Sequence, residues 1–207
     1  DPIYDPVLKK TLTKPSHAKA RAYGYSLANS VIEAFQAGDF KQSPKPSIAI
    51  HSTEIELGIE NFMLSLGTLL GVIDSDPKFS LMPPFVRYLS EVAFIQIGDA
   101  SITGIPGELY PEIAVGGIEN PIGADYVIAP QEVPHLRSQF SDKLNLMVNL
   151  ANDSIGYIIP KSEWDEDAPW IYGEKEETYG EVVSLGPNTA PVIHENLLEL
   201  IKESKNK

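Results

Sequence analysis

Strand-like runs interleaved with a few helix-like stretches predict an α+β or layered α/β fold, with mixed sheets and a few covering helices. Three observations carry this. Residues 47–57 and 144–150 are β-branched or alternating in polarity, as strands are. Residues 15–37 and 192–204 place apolar side chains three and four apart, as amphipathic helices do. Gly98-Asp99 and Gly116-Gly117 supply turns between the shorter segments. No internal repeat of a solenoid or propeller period is present.

Taken in order, the first 15 residues are polar with two early prolines and read as an arm or linker. The helix over Pro15–Ala37 sets Ala20, Tyr23, Leu27, Val31 and Phe35 on one face, and Gly38 stops it. Residues 39–46 form a loop, and Ser47–Leu57 a strand. Residues 60–73 are apolar with two glycines, a pattern shared by a helix and a buried strand. A loop follows over 74–84, then two short strands within 91–105 joined at Gly98-Asp99. Leu109–Val115 is a short helix ended by Gly116-Gly117, and Pro134–Phe140 another. Leu144–Leu150 and Ile155–Ile159 are successive strands. Residues 161–181 hold eight acids and two lysines beside Trp164, Trp170, Tyr172 and Tyr179, which reads as a solvated surface loop. The last helix, Val192 to about Ser204, aligns Ile193, Leu197, Leu200 and Ile201.

Composition narrows the chemistry. The chain has 207 residues, 43% of them hydrophobic, and no cysteine, which excludes disulfides, thiol nucleophiles and Cys-ligated metal sites. Its net charge of −13 opposes nucleic acid, whose phosphates need a cationic face. The same charge opposes a purely electrostatic hold on anionic membranes. No apolar run reaches the roughly 18–20 residues that span a bilayer. The chain opens with Asp1, so a leader or larger N-terminal region is expected before it. The same residue disfavours an N-terminal-nucleophile hydrolase, which begins with Ser, Thr or Cys.

Three segments are candidates for chemistry. In Gly98–Glu108 a strand runs into the Pro106-Gly107 corner and a carboxylate follows at once. If a helix starts there, its N-terminal charge favours ionised Glu108, a metal ligand or general base; the plain reading is an acid that suits the dipole. In Asn149–Pro160, Asn-Asp-Ser breaks one strand, Gly156 permits a close approach, and Tyr157 opens the next strand. By spacing alone Tyr157 is a half-core tyrosine with a bonded hydroxyl. In Tyr179–Ala190, Gly-Pro-Asn-Thr is a helix entry with Thr189 as a cap.

In this order the three segments resemble the C-terminal part of the catalytic domain of neutral/alkaline (non-lysosomal) ceramidases. The stretch Phe94-Ile95-Gln96-Ile97-Gly98 followed by Ile102-Thr103-Gly104-Ile105-Pro106-Gly107-Glu108 matches that family's Gln…Gly and Ile-x-x-Ile-Pro-Gly-Glu element. Asn149-Leu150-Ala151-Asn152…Tyr157 matches its Asn-x-x-x-x-Tyr element, and Tyr179…Gly186-Pro187-Asn188-Thr189 its closing segment. The likeness covers about residues 91–200. The resemblance implies one piece, residues 1–207, forming about half of a larger catalytic domain with no appended β-sandwich. It implies a zinc ion (Zn2+) held by two His, a Glu and a Tyr, the last two mapping onto Glu108 and Tyr157, with Tyr179 as an active-site tyrosine. The two His and the active-site Ser belong to an N-terminal half, the partner this chain would need. His17, His51, His135 and His194 lack paired spacing and read as structural or surface residues. After Glu108 the chain has Leu109-Tyr110-Pro111-Glu112 where the family has two Thr and later an Arg pair, marking a compact, diverged relative.

The implied activity is a zinc-dependent hydrolase of a linear, lipid-like N-acyl amide, as in sphingolipid metabolism, with this chain inactive alone. The acidic stretch 161–181 would then border the substrate entrance. An extracellular, periplasmic or envelope-associated place and peripheral membrane contact are implied too. The alternative is a ceramidase-like fold without catalysis, acting as a binding or envelope protein.

Overall fold

The computed structural model describes residues 1–38, 45–73, 77–140, 144–176 and 178–205. The expected loop over 39–46 falls almost wholly outside them. The chain forms two compact units, Asp1–Lys45 and Pro46–Lys207.

In the first unit the expected arm is instead a hairpin. Strands β1 (Ile3–Asp5) and β2 (Lys10–Leu12) pair antiparallel, Ile3 opposite Leu12. The turn is held by Asp5, whose Oδ1 accepts from the amides of Val7 at 2.8 Å and Leu8 at 3.1 Å. Polar composition hid this, because a side-chain-to-backbone turn needs one well-placed Asp rather than an apolar pattern. Helix α1 (His17–Ala37) starts where Ser16 accepts from the Lys19 amide and ends at Gly38, φ +70°. Arg21 ties it to β1 through a 3.1 Å ion pair with the fully buried Asp5. Burial alone would raise the Asp5 carboxyl, but the Leu8 amide, the Arg21 guanidinium and the Val7 amide outweigh it and hold it below the usual range. Of α1 only Ala22 is buried; Tyr23, Leu27, Val31 and Phe35, the expected core face, are exposed.

The second unit is built on a mixed sheet. Strand β3 (Ile48–Gly58) leads to helix α2 (Phe62–Leu69), capped by Asn61, which makes the middle of the ambiguous 60–73 stretch a helix, with Thr68 buried, Leu64 packed against the core and Phe62, Met63, Leu66 and Leu69 exposed. A two-residue strand β4 (Lys78–Phe79) lies in the expected loop. Strand β5 (Val86–Ile97) begins earlier than its pattern suggests, because Arg87, Tyr88 and Ser90 are polar. Gly98, at φ +58°, turns the chain into β6 (Ala100–Gly104), with Ile97 opposite Ala100, as the turn dipeptide predicts. Next come β7 (Glu108–Leu109), α3 (Pro111–Val115), a 3-10 turn at Leu136–Gln139, β8 (Leu144–Val148) and β9 (Tyr157–Ile158). Further 3-10 turns at Lys161–Glu163 and Ile171–Gly173 precede α4 (Tyr179–Val182) and α5 (Thr189–Ser204).

The sheet order is β3-β5-β6-β8, with β4 on the start of β5. The β3–β5 and β5–β6 pairs are antiparallel and β6–β8 is parallel. The fold is therefore mixed α+β, as predicted. Helix α5 covers one sheet face, burying Ile193, Leu197, Leu200 and Ile201 against a core that includes Ile55, Leu57, Val92 and Phe94. Thr189 does not cap α5: Asn188 holds that place without a side-chain cap bond, and the Thr189 hydroxyl is buried without a partner. Nor is 161–181 solvated throughout, since Glu163, Trp164, Asp165, Ile171 and Glu181 are buried. Charge counting missed this because their carboxylates take up local donors, such as the Ile171 amide 3.0 Å from Asp165.

Candidate functional site

Glu108 is not in a helix's first turn; it stands on β7, and Glu112 is the first-turn acid of α3. The Pro106-Gly107 corner runs beside residues 150–158. The Leu150 amide donates to the Gly107 carbonyl at 3.2 Å, Ile155 to Pro106 at 3.0 Å and Glu108 to Gly156 at 2.9 Å. These bonds set β7 and β9 parallel, with Glu108 directly opposite Tyr157. Glycine is required twice in this crossing. A Cβ on Gly107 would overlap the Gly156 carbonyl, and one on Gly156, at φ +88°, the Val183 carbonyl. The Ser184 hydroxyl pins β9 from its other side, donating to the Tyr157 carbonyl at 2.8 Å.

The side chains converge on one cavity of about 570 Å³, within the range of small-molecule sites. Glu108, Tyr157 and Tyr179 line it together, so the three expected site residues meet. Tyr157 packs edge-on against Tyr179, ring centroids 6.0 Å apart, and against Tyr110, 6.2 Å away. The Glu108 charge is the main cause of a raised Tyr157 pKa, with burial and Tyr179 adding. Tyr179, the first residue of α4, is 71% exposed and free to meet a ligand. The apolar part of the lining is Ile59, Leu64, Ile73, Ile155, Val183 and Leu185.

Sequence reasoning missed two features here. Asp153 lines the same cavity and accepts from the Tyr88 hydroxyl at 3.0 Å and the Ser90 hydroxyl at 2.8 Å. It had read only as part of a strand break, and no spacing signals a contact across more than sixty residues. Tyr110 was also overlooked; it stands between β7 and α3 and packs edge-on against Tyr157. Burial, then the charge of Glu181, pushes Tyr110 up to about 12.

A carboxylate and a phenol are oxygen donors that zinc accepts, and a dication lowers a phenol's pKa, so the pair fits half of a tetrahedral set. Among the described residues no three His, Cys, Asp or Glu side chains group as a metal site. The histidines stand elsewhere. His51 is buried on β3, His194 is buried in α5 with Nε2 2.9 Å from the Pro134 carbonyl, His135 starts the 3-10 turn at Leu136–Gln139, and His17 starts α1. No described helix is long and apolar enough to cross a membrane.

No family model matches the chain, and no curated protein matches it significantly. Among solved structures, a neutral ceramidase from Pseudomonas aeruginosa aligns over 84% of this chain at 11% identity and a TM-score of 0.44. The chain covers 31% of that enzyme's length. A likeness of this level does not fix a family.

Proposed function

We propose that this chain is part of a zinc-dependent amidohydrolase of ceramidase type that cleaves a lipid-like N-acyl amide. The observation that carries the reading is the pairing of Glu108 with Tyr157 across β7 and β9, on the wall of a half-apolar cavity. The two residues come from separate motifs of the sequence, and the fold makes them neighbours. Glu108 and Tyr157 would hold the metal from this side. Two histidines, and the serine of the family pattern, would come from polypeptide outside this chain's described residues, so the chain alone is inactive.

Zinc, when bound, polarises a carbonyl and brings the pKa of its water to about 7. The chain's own residues do the rest. Ile59, Leu64 and Leu185 would take the apolar chain and exclude water, and Tyr179, which lines the cavity beside Tyr157, would hydrogen-bond the amide. Glu108 keeps a negative charge next to the phenol and so favours a cation between them. An extracellular, periplasmic or envelope-associated setting with peripheral membrane contact belongs to the same reading.

The test is turnover by the zinc-loaded full-length protein of N-acyl sphingosines and simpler N-acyl amines, with and without chelator. Chelator-sensitive release of the amine supports the reading. Turnover of esters or phosphoesters but no amide rejects it, and no turnover of any substrate favours the non-catalytic binding protein.

A further inference from the structure

The cavity holds a second carboxylate that the proposed chemistry does not use. Asp153 follows the break after β8, and three donors fix it. Oδ1 accepts from the Tyr88 hydroxyl at 3.0 Å and the Ser154 amide at 2.8 Å, and Oδ2 from the Ser90 hydroxyl at 2.8 Å. Tyr88 and Ser90 sit two apart on β5, on the side facing the core, so the sheet itself positions the carboxylate. A strand-end Asp serving only as a turn residue would bond its own amides. This one is also held by two hydroxyls from a strand more than sixty residues away, and it still faces the cavity.

A carboxylate accepts about four hydrogen bonds, and Asp153 receives three, one of them on Oδ2. The remaining acceptor capacity is on Oδ2. Among the described residues no Lys or Arg lines the cavity. A ligand lying there has its apolar part against Ile59, Leu64 and Leu185, and meets fixed acceptors at its polar end.

We infer that Asp153 selects the ligand's head group: it takes an amphiphile whose head donates, an ammonium before a hydroxyl, and refuses a carboxylate or phosphate head. Anionic heads would bring like charge to a fixed, partly desolvated carboxylate, where the described lining offers hydroxyl donors but no cation, which disfavours the wrong ligand. The inference rests on the amidase reading for where the reacting amide lies, and on the cavity alone for binding.

The experiment uses the full-length protein, freed of metal by chelation so that no cation on Glu108 and Tyr157 draws a carboxylate, and three soluble probes of equal chain length: octylammonium, octanol and octanoate. Calorimetric titration of the wild type is expected to show octylammonium binding at least about tenfold more tightly than octanoate, with octanol between them. In Asp153→Asn, which keeps an acceptor for Tyr88 but loses the charge, that ratio is expected to fall to about threefold or less with octanol unchanged. An unchanged ratio in a folded variant overturns the inference, as does a wild type that prefers octanoate. A second readout needs no variant: the Asp153 carboxyl carbon resonance is expected to shift when octylammonium is added, and a resonance that stays still while binding saturates overturns it too. Hydrolysis is read separately, on N-dodecanoyl ethylenediamine against N-dodecanoyl glycine. Turnover of neither defeats the amidase reading and leaves the binding ratios to decide Asp153.

Discussion

Gly156 fixes the site more tightly than any ligand-facing residue does. Its φ of +88° and the adjacent Val183 carbonyl leave no room for a Cβ. Gly156→Ala is expected to cost about 3 kcal/mol in denaturant unfolding and to displace Tyr157, because strain and overlap act together. Glu163 gives a prediction of opposite sign. It is buried, and its amide partner at Glu119 lies 2.6 Å away. Burial, with the charges of Glu112, Glu119 and Glu132, still raises its pKa above 4.5. A raised carboxyl pKa means the folded state holds the proton more tightly, so this contribution is full below 4.5 and is lost as pH climbs through the raised value. Glu163→Gln is therefore expected to raise the Tm at pH 7 and to flatten its dependence on pH above 4.5. A lower Tm at pH 7 would contradict this. Asp5 works the other way: its depressed pKa adds stability that is lost as pH falls below 3.8. Glu108, Tyr157 and Tyr179 were singled out in the sequence through the family resemblance of the motifs around them, and the structure sets all three on one cavity. Asp153, Tyr88 and Ser90 were not legible, since a network joining β5 to the end of β8 exists only once the strands are paired.

Two helices with similar sequence patterns behave differently. Both α1 and α5 show apolar residues at helical spacing and were legible as helices, but α5 buries its stripe on the sheet while α1 leaves most of its stripe exposed. Periodicity reports which residues share a face; whether another element covers that face is a tertiary fact. Leu197→Ala in α5 is expected to cost about 2–5 kcal/mol, as for a fully buried leucine. Leu27→Ala in α1, at 69% exposure, should stay within about 0.5 kcal/mol. Equal losses in chemical denaturation would contradict the assignment of these faces. Two-residue strands lie at the other extreme. Nothing in the pattern of β7 distinguishes it from the start of a helix, so the expected helix began at Leu109, two residues before α3, and Glu108 was placed only conditionally at a helix start.

At the scale of the molecule, α5 packs on one face of the sheet within the second unit. On the other, Ile50, Ile95, Ile102 and Leu146 form an apolar row across four strands, and Ile48, Ile97, Ala100 and Leu144 the next. Ile48, Ile50, Ile97, Leu144 and Leu146 are exposed. The 207-residue chain by itself is expected to bind anilinonaphthalene sulfonate strongly and to self-associate at micromolar concentration. A dye-silent, monomeric chain by sedimentation would contradict that. The central claim is that Glu108 and Tyr157 act as a pair on one metal. It is tested most directly by zinc content and affinity in the full-length protein and its Glu108→Gln and Tyr157→Phe variants, with circular dichroism as the control for folding. Each variant is expected to stay folded and to lose more affinity than the roughly 10–100-fold that removing an outer hydrogen bond costs; unchanged zinc binding in both would contradict the account.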